Sequence, residues 1–219
     1  MLFDSHSHIY TNKNVVIINK SDEKVECSNS FFSYGIHPWY ANGIEDNFLI
    51  FEQEVKKKNC LAIGEIGLDK MKGPKMQFQI DSFTKQIEIS EKLELPVIIH
   101  CVKAWNELYL IYNKIQPKQT WIFHGFSKVG ILKDVLKTNL MISIGKSIFT
   151  NIQLQEAIYL IPNEKLLVET DDVEIDILEI YEKVSEIKKI SLQELEQIIE
   201  ENFKRTFGKW RSGLSVQNY

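Results

Sequence analysis

A parallel α/β barrel of the (β/α)8 type is the fold this sequence predicts, and three observations predict it. Eight short apolar runs of strand length recur along the chain, segments of helical spacing separate most of them, and the residues able to carry chemistry stand at the ends of the runs. Closing eight parallel strands into a barrel brings such ends to one face. An open doubly wound sheet is the structural rival.

In order, the runs are LFDSH (2–6), VVII (15–18), FFSYGIH (31–37), CLAIGEI (60–66), PVIIH (96–100), TWIFH (120–124), LMISIG (140–145) and KLLVETD (165–171). Such continuous apolar stretches suit strands covered on both faces. In KMQFQIDSFTKQIEIS, Met76, Ile80, Phe83 and Ile87 fall on one helical face. Further helices are predicted at 45–58, 103–115, 128–138 and 152–160, and two close the chain at 174–189 and 191–207. The front fits less well. Only Ile9 to Asn14 separate the first two runs, where a parallel crossover normally takes a dozen or more residues. Either the first helix is missing or VVII is not a regular strand, and the barrel is expected to be shortened or distorted there. No repeat, low-complexity tract or Pro/Gly/Ser linker divides residues 1–219, which are read as one domain.

An apolar fraction of 44% with 26% charged residues is that of an ordinary folded protein, not a disordered one. With a net charge of -4 there is no general basic field to hold nucleic acid, so any phosphate must be bound locally. Cys27, Cys60 and Cys101 are odd in number and form no C-x-x-C pair, as expected of reduced thiols in the cytoplasm. No basic segment followed by an apolar one opens the chain and no run reaches membrane-spanning length; cytoplasmic location is expected.

All five histidines, His6, His8, His37, His100 and His124, stand at or just past the end of a predicted strand, and so do Glu65 and Asp171. Strand alternation puts Asp4, His6 and His8 on one face. A barrel would gather these groups into one site, and imidazole with carboxylate suits zinc, manganese, iron or nickel, whereas magnesium prefers oxygen alone. The set is large enough for two divalent ions if one carboxylate bridges. Asp4 either orients a metal-bound histidine or satisfies backbone. Glu169, which points with Asp171, either supports the ligands or belongs to a polar layer inside the barrel. Trp39 either stacks on a base or sugar or covers the core. Lys103 either meets a phosphate or is solvated, and Cys101 reads as packing.

In their order along the chain, FDSHSH, YGIHPW, AIGEIGLDK, Gln77 with Phe83, LPVIIHCVKAW, FHGFS, SIG, LLVETDD and NFKRTFG resemble the motifs of the TatD family of metal-dependent hydrolases. The resemblance implies a two-metal site in which His6 and His8 hold one ion, His100 and His124 the other, Glu65 bridges and Asp171 completes the first. It implies a metal-dependent deoxyribonuclease acting on single strands, with Glu65 and Asp171 catalytic, Asp171 as proton acceptor, and His37 as phosphate contact or leaving-group acid. Magnesium joins zinc, manganese, nickel and iron among the candidate ions. The chain departs from the family where the first helix is lost, where Val102 stands in place of the usual arginine after His100, and where the loop after Asp171 is short. Hydrolysis of a small ester, lactone, amide or phosphomonoester is the alternative, and a non-catalytic metal-stabilised binding module a third reading. The expected partner is single-stranded DNA or a small phosphate or carbonyl substrate; nothing calls for an obligate protein partner.

Overall fold

The computed structural model describes residues 1–11, 14–20, 30–42 and 44–208, with the side chains of 44–46 set aside. Cys27 lies outside the described residues. Eight strands form one parallel sheet in chain order: β1 (Phe3–Ser7), β2 (Val15–Asn19), β3 (Phe32–Tyr34), β4 (Cys60–Asp69), β5 (Val97–Val102), β6 (Trp121–Phe123), β7 (Met141–Ile144) and β8 (Leu166–Val168). The sheet closes on itself just past β8, where Asp171 bridges to Ser7. There the Asp171 N–H donates to the His6 carbonyl at 3.0 Å and the His8 N–H donates to the Asp171 carbonyl at 2.8 Å. The barrel is thus of the predicted class, and its seam runs through the candidate site.

Helices cover the outside: α1 (Ile44–Glu54), α2 (Met76–Leu93), α3 (Trp105–Ile115), α4 (Leu132–Leu136), α5 (Ile152–Ile158), α6 (Ile177–Lys188) and α7 (Leu192–Thr206). The apolar stripe of α2 packs on the sheet through Phe83 and Ile87, both fully buried. Among the described residues no helix is long and apolar enough to cross a membrane.

At the front, VVII is a regular strand: β2 pairs in parallel with β1, Phe3 opposite Val15. Among the described residues between β1 and β2 there is no helix. Residues 8–14, of which 12 and 13 lie outside the described residues, make the return. Seven residues reach at most roughly 23 Å, little more than the roughly 17 Å needed to retrace a strand of this length. The expected irregularity is a register shift between Asp4 and Ser7.

The C-terminal helices secure this weak edge. Tyr181 Oη accepts from the Phe3 N–H at 3.1 Å and donates to the Phe3 carbonyl at 3.0 Å, while the Phe203 ring lies 4.9 Å from that of Phe3. Asn202 donates to the Leu166 carbonyl at 2.8 Å on β8. Both strands flanking the seam are therefore held by α6 and α7. Replacing Tyr181 by Phe removes two buried hydrogen bonds at almost constant volume and is expected to lower stability by about 1–3 kcal/mol. Chemical denaturation checks this, and a wild-type midpoint would show that the seam does not need α6.

Candidate metal centre

Each strand end delivers its residue because a parallel barrel points all its C-terminal ends the same way. His6 comes from β1, Asn19 from β2, Glu65 from β4 and His100 from β5, while His8, His37, His124 and Asp171 follow β1, β3, β6 and β8. Gly67 permits the tightest approach. Its φ is +148°, and a Cβ there would sit 1.9 Å from the His100 carbonyl oxygen, so glycine alone lets β4 press against the residue that carries His100.

Glu65 is the centre of the arrangement. Its Oε1 lies 2.8 Å from His8 Nε2 and 3.2 Å from His6 Nε2, and accepts from Asn19 Nδ2 at 2.7 Å. Its Oε2 lies 3.1 Å from His124 Nε2 and 3.4 Å from His100 Nδ1. One carboxylate oxygen thus faces the β1 pair and the other faces the β5 and β6 pair. Asp171 Oδ1 stands 3.6 Å from His6 Nε2 and 3.7 Å from His8 Nε2, on the first side.

Burial works against the charge on Glu65, yet His6 above all, with the rings of His100 and His124 against its other oxygen, holds its pKa well below the usual carboxylate range. The converse holds for the imidazoles. Burial opposes a charge on His6, but the Glu65 carboxylate, then Asp171, lift it to about 9. Burial also opposes a charge on His124, and Glu169 and Glu65 raise it well above the usual value. Asp171 is likewise held low, against burial, by His6. These nitrogens and oxygens are therefore built around positive charge at their centre.

A cation fits there. His6 is fully buried, and among the described residues neither ring nitrogen makes an aligned hydrogen bond, although Nε2 faces Glu65 Oε1 at 3.2 Å, an arrangement that costs free energy unless something else coordinates the ring. Three overlapping sets, His6 with His8 and Glu65, His6 with His124 and Asp171, and His37 with Glu65 and His100, each bring their ligand atoms within 4.8 Å of one another. Imidazole nitrogen and carboxylate oxygen are the donors of borderline divalent metals.

The family model described as TatD related DNase matches residues 6–208. The chain belongs to the TatD family. It is 28% identical over 253 residues to the uncharacterized metal-dependent hydrolase YabD of Bacillus subtilis (strain 168), covering 94% of this chain and 99% of that protein. It is 31% identical over 144 residues to the 3'-5' ssDNA/RNA exonuclease TatD of Dickeya dadantii (strain 3937), covering 63% of this chain and 54% of that one. The crystal structure of YJJV, a TatD homologue from Escherichia coli K12, superposes with a TM-score of 0.80 at 19% identity, covering 94% of this chain and 98% of that one. That similarity extends the barrel over nearly the whole chain.

The structure brings all six expected ligands of this TatD-family site together and sorts the remaining residues. His37 has its ring nitrogen Nδ1 accepting from the Trp39 N–H at 3.3 Å, which leaves its proton on Nε2, 3.7 Å from Glu65 Oε2. Burial, with His100 beside it, pushes its pKa down to about 4. Its Nε2 proton faces the cleft as a donor. Glu169, fully buried, accepts from the Gly125 N–H and lies 3.4 Å from His124 Nδ1, so it supports that ring. Asp4 does not meet a histidine ring. Its carboxylate accepts from the His6 N–H, the Thr170 N–H and, at 2.7 Å, the Thr170 hydroxyl, and burial raises its pKa to about 7. It ties β1 to β8 through backbone. Lys103 is exposed and stands outside the cleft lining, because a left-handed turn (φ 52°) directs the chain from β5 into α3. Trp39 lines the cleft, but its indole N–H donates to Asp69 Oδ2 at 2.7 Å and Lys72 Nζ lies 3.3 Å from its ring centre. One face is thus already covered.

Asn19 and Asp69 are the residues that sequence reading passed over. Asp69 Oδ2 lies 3.2 Å from His100 Nε2, which keeps a proton on that nitrogen and turns the Nδ1 lone pair toward Glu65. Both residues end strands, Asn19 after VVII and Asp69 after GEIGL, so the positional rule that found the histidines extends to them.

Two outcomes are expected. Asp69→Asn weakens metal binding by about 10- to 100-fold, because His100 loses the charged acceptor that orients it; titration calorimetry measures this, and an unchanged affinity would contradict it. Since His6 carries a proton at neutral pH in the metal-free cluster, loading the site releases protons and affinity falls as pH falls. Calorimetry in two buffers of different ionisation enthalpy reads the release, and identical heats would contradict it.

Proposed function

We propose that this chain is a two-metal phosphodiesterase acting on single-stranded nucleic acid, with His6, His8 and Asp171 holding one divalent ion, His100 and His124 the other, and Glu65 shared. The observation that carries the reading is the division of Glu65, one oxygen to each imidazole pair. What such ions supply is acidification of a water into the neutral range and neutralisation of charge on the attacking and leaving oxygens of a phosphate.

The chain's own residues supply the rest. The Asp171 carboxylate opens on the cleft beside His6 and His8, at 3.6 and 3.7 Å, where it accepts the proton of the attacking water. Its φ of 58° sits in the left-handed region, and both its backbone hydrogen bonds hold it to β1, which aims the carboxylate at His6 and His8. His37 offers its Nε2 proton to a phosphate oxygen. Tyr40, 64% exposed on the cleft wall, presents a ring for a base to stack on. The cleft, about 500 Å³, has room for a nucleotide-sized group. The nuclease named for the Dickeya dadantii relative agrees with this substrate class.

The cleft volume and the negative net charge also suit a small phosphate or carbonyl ester. Protein stripped of metal and reloaded with manganese or magnesium separates the two readings. It is expected to shorten a single-stranded oligonucleotide faster than it turns over chromogenic carboxylic esters or phosphomonoesters. The reverse ranking would favour the small substrate, and no turnover by metal-loaded protein would refute both. Asp171→Asn is expected to cost about 100-fold or more in kcat with folding retained, since it removes both a ligand and the proton acceptor. Tyr40→Ala is expected to raise KM for the oligonucleotide by about 5- to 100-fold, the value of one base stack, with little change in kcat.

A further inference from the structure

We infer that Lys128 is the cleft's contact for a substrate backbone phosphate flanking the bond that is cut, an assignment that rests on the phosphodiesterase reading above. Among the described residues lining the cleft, Lys128 is the only lysine or arginine. Of the neighbouring cations, Lys103 is exposed outside the lining, Lys146 pairs with Asp172 at 2.6 Å, Lys70 pairs with Glu107 at 2.7 Å, and Lys72 sits over the Trp39 ring. Arg205 hydrogen-bonds the Glu164 carbonyl and Asn202 on α7, away from the strand ends, and Arg211 lies outside the described residues.

Lys128 is half-buried, and its Nζ donates to the Cys101 carbonyl, the residue after His100, at 3.3 Å. That bond occupies one of three ammonium protons and neutralises no charge. No carboxylate pairs with it among the described residues, and a partly buried cation in that position gains most from an anion. The connection that carries it is held still. Glu169 binds the Gly125 N–H, the Phe126 N–H donates to the Ser143 carbonyl at 3.1 Å, and Asn151 Nδ2 donates to the Ser127 carbonyl at 3.2 Å. His124 and Lys128 therefore leave the same anchored segment, which places the ammonium on the side of the site formed by β5 and β6.

Charge decides what this lysine is for. Glu65, Asp171 and Asp172 give the cleft a negative wall. Cations between the imidazole pairs would answer the charge of the phosphate being cut, but every further phosphate of a strand needs its own positive partner. Only Lys128 is available in the cleft, so the substrate is gripped by one flanking phosphate and not along an extended backbone.

The test compares wild type, Lys128→Gln and Lys128→Arg as metal-loaded enzymes on a short single-stranded oligonucleotide and on bis(p-nitrophenyl) phosphate, a diester with no second phosphate. Lys128→Gln is expected to raise KM for the oligonucleotide about tenfold, the worth of one charge-assisted hydrogen bond, with kcat little changed. The dependence of log KM on log salt should become shallower by about 0.7, the share of one phosphate on a single strand. The chromogenic diester should be unaffected, bound metal unaltered, and Lys128→Arg should restore the oligonucleotide KM. An active wild type whose KM and salt slope are indifferent to Lys128→Gln overturns the assignment alone, and so does an equal loss on both substrates. A metal-loaded wild type inert toward both diesters overturns the phosphodiesterase reading and the assignment with it.

Discussion

The mouth of this barrel is organised around one buried carboxylate held between two sets of imidazoles. Glu65 is almost fully enclosed, and an isolated carboxylate in such a place would take up a proton. It remains charged because five histidines and Asn19 surround it. The same histidines are costly to bury without an anion or a cation at their centre. Each half of the cluster is therefore tenable only because the other is present, and the packing of β4 against β5 at Gly67 serves that juxtaposition.

The closing of the barrel and the assembly of the site are one event. Asp171 donates its N–H to His6 and accepts from the N–H of His8, so the hydrogen bonds that join the last strand to the first also bring the Asp171 carboxylate to both rings. Asp4 reinforces the same seam through Thr170. With no helix among the described residues between β1 and β2 to cover that side, the load passes to α6 and α7, whose Tyr181 and Phe203 grip Phe3. Loss of the first helix is tolerable because the seam is braced from the other end of the chain.

Much of this was legible in the sequence, for a physical reason. Parallel strands read as apolar runs, and polar residues that interrupt or end such runs are there at a cost, so His6, His8, Glu65, His100, His124 and Asp171 declared themselves by position. The readings that stayed open were those whose answer depended on a turn or on closure of the barrel. Lys103 adjoins the ligand-bearing strand but is itself in the left-handed conformation that turns the chain to the surface, while Lys128, four residues beyond His124, is returned to the cleft by a loop whose anchors, Ser143, Asn151 and Glu169, lie far along the chain. Asp4 shares a face with His6 and His8 by strand alternation, yet the nearest donors are the backbone and hydroxyl of Thr170, a contact made only when the barrel closes. Asp69 and Asn19 obeyed the strand-end rule, but asparagine is an uncommon ligand type, and Asp69 ends a strand that had already supplied Glu65.

The central claim is that Glu65 lies between two cations, and crystals grown with manganese test it most directly through anomalous scattering. Two peaks per chain are predicted, one contacted by His6 and His8 and the other by His100 and His124, with a different Glu65 oxygen reaching each. A single peak, or two peaks that Glu65 does not join, would contradict the account.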